Sequence, residues 1–508
     1  TSYQFLSFFF LYLQFIFKFT ERKITMNKYE AIIGLEVHAQ LLTKSKAFCS
    51  CSTVFGASPN TNTCPVCLGH PGTLPLLNKG LVEDIVKVGI ATNCKIRPIS
   101  SFARKNYFYA DLVKGYQITQ HNDPICYNGF VNIELDENER KKIGVTRIHM
   151  EEDTGKGIHD LDIDSLMDYN RSGVPLIEIV SEPDMRNANE AYKYLTELRR
   201  ILVYLGVCTG NMEEGALRCD ANVSVRLKGA TKFGTKTEVK NMNSFRNVEK
   251  SIEFEIARQI EVLENGGEIL QETRMWDGQK QETRTMRTKE TAIDYRYFTE
   301  PDLIKVSVDE AMLASLTSQL PELPLNRKDR FIKEYELPAY DAGVLVEDKS
   351  IADYYEETCK HLSSKNPKTY KLVSNWIMTE VMRIVAEKNV SITEIDLAPN
   401  LVAELVELFA DDVISSRIAK DIFPEILETG ISPKKLVEER NLAQVSDTAS
   451  IEKIVKKLID ENPEAVEKFK SGNNRTLGFF VGNTMKLMDG KANPKIVTEI
   501  VNKYLANS

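Results

Sequence analysis

Two tryptophans and six histidines serve 508 residues, and no uninterrupted apolar run reaches the length a membrane-spanning helix needs, about 20 residues. A polytopic membrane protein is excluded. A phosphate-cradling GxxxxGK[ST] loop is missing, so any nucleotide site here has to be built another way. No GxSxG elbow occurs, and no Ser/His/Asp order commits the chain to hydrolysis. Internal repeats and low-complexity tracts are absent, which removes solenoids, collagen and extended disorder. There is no surplus of basic charge. Lys and Arg total 65 against 73 Asp and Glu, a net charge of −8, so any contact with nucleic acid must be local. The nine cysteines are odd in number and four crowd into one segment, unlike a disulfide framework. They suit a reduced, cytoplasmic compartment with one local metal candidate.

What is present reads as a soluble globular chain, 42% hydrophobic and 27% charged, long enough for two to four domains. Residues 1–25 stand apart. Phe5 to Phe19 is aromatic and apolar, broken only by Ser7, Gln14 and Lys18, with neither a basic leader nor a small-residue cleavage site. The expectation is an extension ahead of a start at Met26, with a membrane anchor or organelle leader as the alternative. From Tyr29 to about Leu320 apolar residues alternate with period two, the pattern of half-buried strands, with helical patches at Asn189–Tyr204 and Val248–Glu264. Pro321 and Pro324 punctuate the chain, and the period then becomes helical. Ile451, Ile454, Val455 and Leu458 form one stripe, and Val497, Ile500, Val501 and Tyr504 another, behind an Asn493-Pro494 helix start. The expected class is α+β: a β-rich domain over 26–320, a helical domain over 321–434 and a small helical tail over 435–508.

Four strands present a polar face. In Ile33–Gln40, Glu36 and His38 project together, about 6.6 Å apart along the strand. In Thr146–Asp153 the polar set is Arg147, His149, Glu151 and Asp153. Arg218, Asp220, Asn222, Ser224 and Arg226 form the set in Arg218–Leu227, and Lys236, Glu238 and Lys240 in Thr235–Lys240. Each strand taken alone fits the solvated side of a one-sided sheet. Together they concentrate His, carboxylate, Arg and Asn, the residues that hold a divalent cation and phosphates. The expectation is a sheet curved around a nucleotide–metal site. Glu178 sits in the apolar run Leu176–Val180, either as an inward ligand or as an edge residue facing water. Cys219 falls on the apolar side with Ala221 and Val223 and is not expected to be a nucleophile.

Cys49-x-Cys51, twelve further residues and Cys64-x-x-Cys67 make two close pairs across a short loop. Four thiolates suit tetrahedral zinc in a closed, structural site, the alternative being reduced cysteines without metal. Between Ser471 and Ser508 five basic residues, Arg475 and Lys486 among them, outnumber two acidic ones. That tail is either an ordinary solvated helical segment or a surface for a phosphate backbone.

The motifs GLEVHAQL, RKNYFYADLVKGYQITQ, HMEEDTGK, DYNRSGVPLIEIVSEPD, MEEGALRCDANVSVR and KTEVKNMNSFRNVEKSIEFE, in this order, closely resemble the B-subunit family of the tRNA-dependent Asp/Glu amidotransferases, from about Met26 to Ser508. The resemblance implies a glutamine-synthetase-like cradle and a helical tail that contacts tRNA. It implies an ATP-dependent carbon–nitrogen ligase with glutamine as amide donor, converting misacylated Glu-tRNA(Gln) or Asp-tRNA(Asn) to the amidated form. ATP and Mg²⁺ would activate the side-chain carboxylate by phosphorylation, an A subunit would supply ammonia from glutamine, and a C subunit would complete a heterotrimer without a membrane. Glu36, His38 and Glu151 match the family's metal and phosphoryl-transfer site, with Glu178 a further candidate. Cys49, Cys51, Cys64 and Cys67 match its zinc knuckle. Arg218 and Lys240 are candidate phosphate ligands, and Arg475 and Lys486 candidate tRNA contacts. The alternative reading is a stand-alone ligase acting on a free amino acid in the style of glutamine synthetase.

Overall fold

The computed structural model describes residues 28–136, 139–158, 164–288, 295–443, 448–470, 475–488, 492 and 494–507. The expected extension over 1–25 lies outside the described residues. Contacts divide the chain into two units, Thr1–Leu323 and Pro324–Ser508.

The first unit is organised by a 12-stranded mixed sheet. Its central strands are β1 (Tyr29–Gln40), β2 (Tyr116–Thr119), β3 (Arg140–Glu152), β4 (Pro175–Ser181), β5 (Leu217–Leu227) and β6 (Thr237–Met242), lying side by side in the order β6-β5-β1-β4-β3-β2. These neighbours are all antiparallel, and the one parallel pairing described in this sheet joins β6 to Glu272–Asp277. The period-two pattern explains β1 directly. Ile33, Leu35, Val37 and Ala39 are at most 1% exposed, while Glu36, His38 and Gln40 on the opposite face stay partly open. β1 is thus a central strand with one apolar and one polar side.

Three helices cover the apolar side: α1 (Lys79–Ala91), α2 (Ala188–Tyr204) and α3 (Phe245–Glu264). Each starts at a side-chain cap that satisfies an orphan backbone N–H: Asn78 accepts from Gly80, Asn187 from Glu190 and Ser244 from Asn247. Ile85, Tyr194, Leu198 and Ile252 of these helices are fully buried in one core with the β1 residues. With the apolar side sealed, the polar side is the one left to present chemistry.

The second unit is helical and holds two apolar clusters. The first runs from Phe331 to Leu436 and Val437, the last two lying in the helix Pro433–Glu439. The second joins Ile451 and Val455 to Val497, Ile500 and Val501, the two stripes read from the sequence. The whole is α+β.

Candidate active site and metal centre

Register builds the site. His38 lies opposite Arg218 on β5 and Glu178 on β4, and Glu178 in turn lies opposite His149 on β3. One row across four strands therefore reads Arg218–His38–Glu178–His149. Glu178 thus faces inward on a central strand, not outward from an edge, and it sits on the same side as His38. His38 Nε2 stands 3.4 Å from Glu178 Oε2, and His149 Nε2 is 3.6 Å from the same oxygen and 3.1 Å from Glu151 Oε1. One ligand atom from each of His38, Glu151 and Glu178 lies within 4.8 Å of the others. A divalent cation taking carboxylate oxygens and one imidazole fits such a group.

Electrostatics favours the ionised form of the two carboxylates in spite of burial. Burial alone would raise the Glu151 carboxyl, but the hydrogen bond and charge of His149 hold it below its ordinary value. Thr119 Oγ1 and Gln117 Nε2 also donate to Glu151, at 2.7 and 3.1 Å. Glu178 follows the same logic, with the hydrogen bond from His38 and the charge of His149 prevailing over desolvation. His149 is 0% exposed and its Nδ1 has no hydrogen-bond partner among the described residues.

Glu36 shares the polar face but stays outside the three-residue group. It lies one register step away, opposite Val180 and Asp220, and its Oε1 accepts from Asn222 Nδ2 at 2.9 Å. The two candidate phosphate cations already hold carboxylates. Arg218 Nη2 donates to Asp153 Oδ2 at 2.8 Å, and Lys240 pairs with Asp220 and, at 3.2 Å, with Glu238. Lys486 is exposed in the last turn of the helix Arg475–Leu487, and the side chain of Arg475 lies outside the described residues.

Several neighbours escaped the sequence reading. His121 stacks on Tyr297 with ring centres 5.2 Å apart, and Arg147 Nη2 meets His121 Nδ1 at 3.2 Å. Lys105 lies over the Tyr295 ring at 5.0 Å, and its charge helps to hold Glu151 and Glu178 down. The available signal was the aromatic density of Lys105–Tyr109 and Tyr295–Phe298, which strand alternation does not capture. Beside the polar face, a cavity of about 590 Å³ is lined by Phe55, Arg171, Met212, Arg218, Asp220 and Asn241 among others.

The four cysteines of the double pair do converge, with their sulfurs within 4.8 Å of one another. A bridge between Ser45 and Ser52 closes the first turn, and the turn at the second pair is held by Leu68 N–H donating to Cys64 O at 3.0 Å. The Cys67 thiol is pulled down to about 4 by the Cys49 hydrogen bond, the Cys64 backbone and the charge of Lys46. An all-sulfur, four-member donor set fits zinc, and with no open position it fits a structural site.

The sheet, its buried carboxylate–histidine group and the four cysteines fall within a segment that a family of catalytic domains matches. Residues 31–314 match the family model described as the GatB/GatE catalytic domain, and residues 353–505 the model described as the GatB domain. The B subunit of the aspartyl/glutamyl-tRNA(Asn/Gln) amidotransferase of Chlorobium phaeobacteroides (strain BS1) is 55% identical over 477 residues, covering 94% of this chain and 99% of that protein. The protein of the same name from Thermodesulfovibrio yellowstonii is 54% identical over 478 residues, covering 94% and 99%. The chain belongs to this B-subunit family.

Proposed function

We propose that the chain is the activating subunit of a tRNA-dependent amidotransferase, converting misacylated Glu-tRNA(Gln), Asp-tRNA(Asn) or both to the amidated tRNA. The observation that carries the reading is the group His38, Glu151 and Glu178, gathered on the polar face of a sheet whose other face is sealed. The polar face is the inner wall of a cradle of the glutamine-synthetase kind, followed by a helical domain from about 321 and, after the helix Pro433–Glu439, a tail with its own apolar cluster.

The chemistry explains the residues. A side-chain carboxylate is a poor electrophile, because an oxide leaves badly. Phosphorylation by ATP makes that oxygen a good leaving group, after which ammonia attacks the carbonyl and phosphate departs. Phosphoryl transfer asks the protein for alignment and charge neutralisation rather than for a nucleophile. A bound Mg²⁺ supplies that neutralisation. Here His38, Glu151 and Glu178 hold it, with Glu36 on the neighbouring register. His149 orients the two carboxylates through its Nε2. Arg218 and Lys240 neutralise charge at the rim by exchanging their carboxylate partners for phosphate oxygens. The Cys49, Cys51, Cys64 and Cys67 centre carries structural zinc. Glutamine is hydrolysed by a partner A subunit, a C subunit completes the assembly, and the complex works in the reducing cytoplasm. Among the described residues no helix is long and apolar enough to cross a membrane. The free-amino-acid ligase is not favoured, since relatives matched over 94% of this chain bear the tRNA amidotransferase name.

The test combines the chain with its A and C partners, misacylated tRNA, glutamine, ATP and Mg²⁺, with Glu36→Ala and His38→Ala alongside. Amidated tRNA formed in step with phosphate release, and lost in both variants, is the expected result. Full activity in both variants would make the polar face a scaffold.

A further inference from the structure

Lys46 is 0% exposed, and lysine is almost never fully buried without an anionic partner. Its ammonium lies 3.3 Å from the Tyr169 carbonyl oxygen and 3.6 Å from Cys67 Sγ. Among the described residues it makes no ion pair with a carboxylate. The group within reach that becomes an anion when a metal binds is the Cys67 sulfur. A zinc ion held by four thiolates carries a net charge of −2, an unfavourable load for a buried site unless a cation shares it.

The surrounding backbone fixes this contact. Lys46 N–H donates to Cys51 O at 3.0 Å, which ties the lysine to the first cysteine pair. Ala47 N–H donates to Gly173 O at 2.8 Å. Gly173 has φ +84°, and a Cβ there would sit 3.5 Å from both Cys67 Cβ and Lys46 Cδ and 3.8 Å from Glu152 Oε2. Those are ordinary contact distances, so it is the left-handed backbone that calls for glycine here, and the lysine stem passes in contact with this turn and close to Cys67.

We propose that Lys46 is a positioning residue of the four-cysteine centre: its buried ammonium offsets the charge of the metal tetrathiolate and directs a hydrogen bond to Cys67. The inference rests on the zinc reading above. Such a bond draws electron density from the sulfur and lowers the cost of keeping four thiolates together. Without it the centre loses affinity while its geometry survives. Partners of this kind are worth about 10- to 100-fold in metal affinity.

The experiment uses the full chain, as wild type, Lys46→Met and Lys46→Arg, with zinc measured by elemental analysis and by competition against a chromophoric chelator. Wild type should carry stoichiometric zinc. Lys46→Met should bind it about 10- to 100-fold more weakly, and Lys46→Arg should recover most of the difference. Loaded with Co²⁺, Lys46→Met should keep the tetrahedral d–d bands while its thiolate-to-metal charge-transfer band moves to lower energy, a shift that a merely space-filling lysine would not cause. Should Lys46→Met fail to fold, Lys46→Gln, which keeps a donor and loses the charge, takes its place with a smaller loss in the same direction. Wild-type affinity together with an unmoved band in the uncharged variant overturns the proposal. A wild-type chain that binds no zinc overturns the zinc reading and this one with it.

Discussion

His38 Nε2 and Glu178 Oε2 face each other at 3.4 Å across adjacent antiparallel strands, His38 opposite Glu178 in the register. The pair is mutually stabilising. Burial lowers the His38 imidazole, but the hydrogen bond and charge of Glu178 outweigh it and leave the net shift upward. In return His38 keeps a buried glutamate ionised on a strand whose flanking Ile177 and Ile179 point into the core.

Glu178→Gln removes the charge and keeps the shape. Amidated tRNA should form about 100-fold more slowly, the scale of one lost electrostatic contact to a developing charge. Glutamine hydrolysis by the partner subunit should persist. A wild-type rate of tRNA amidation in this variant would take Glu178 out of the site.

Cys219 provides the contrast on the other face of β5. It is 3% exposed, lies opposite Val37 and Met242, and burial pushes its thiol well above the usual range. Cys219→Ala should leave the tRNA amidation rate unchanged and lower stability by about 1 kcal/mol in denaturant unfolding. A large fall in rate with stability intact would contradict that placement.

In the second unit, Arg327 is buried against Asp353 at 2.7 Å and against Glu356, which also pairs with Arg330 at 2.7 Å. Burial raises both carboxyls, yet Lys349 and Arg327 pull Asp353 down, and Arg330 and Arg327 pull Glu356 down. A depressed folded pKa gives stability that is present above the unfolded values, about 3.9 for Asp and 4.3 for Glu, and that is lost as pH falls below them. Arg327→Met should cost about 2 kcal/mol at neutral pH, discounted because Asp353 is half exposed. It should also flatten the acid limb of the stability–pH curve. Equal slopes for variant and wild type would assign the acid sensitivity elsewhere.

Much of this was legible in the sequence because β1 from Ile33 to Gln40 and β5 from Leu217 to Val223 alternate with a period of two, which fixes which side chains share a face. Glu36 with His38, and Arg218 with Asp220 and Asn222, follow from spacing alone. The four cysteines were legible because their pairs are local. Which strand lies beside which was not legible, since pairing is a long-range property. β1 bonds to β4 and β5, more than 130 residues away, and only that register brings Glu178 to His38 and leaves Glu36 beside Asn222. Lys105, His121 and Tyr297 escaped for a related reason. They come from short strands and loops, and they gather through a ring stack and a lysine over a tyrosine ring, contacts that have no sequence period.

The tail supplies the last test, and the packing decides where to cut. Leu436 and Val437 belong to the apolar cluster that begins at Phe331, so a cut at residue 435 would open that core. Ile451, Val455, Val497 and Val501 form a cluster of their own, so removing residues 448–508 takes away one core whole. Lys486 is exposed on this segment, where a basic side chain can reach a phosphate backbone. The shortened chain, assembled with its partners, should bind misacylated tRNA about tenfold more weakly, with a smaller salt dependence as phosphate contacts are lost. Because the polar sheet face is untouched, the loss should fall on KM for tRNA and leave kcat at saturating tRNA within about twofold of wild type. An unchanged KM and salt slope would mean that the helical tail serves the fold or the partner subunits, and that tRNA is held elsewhere.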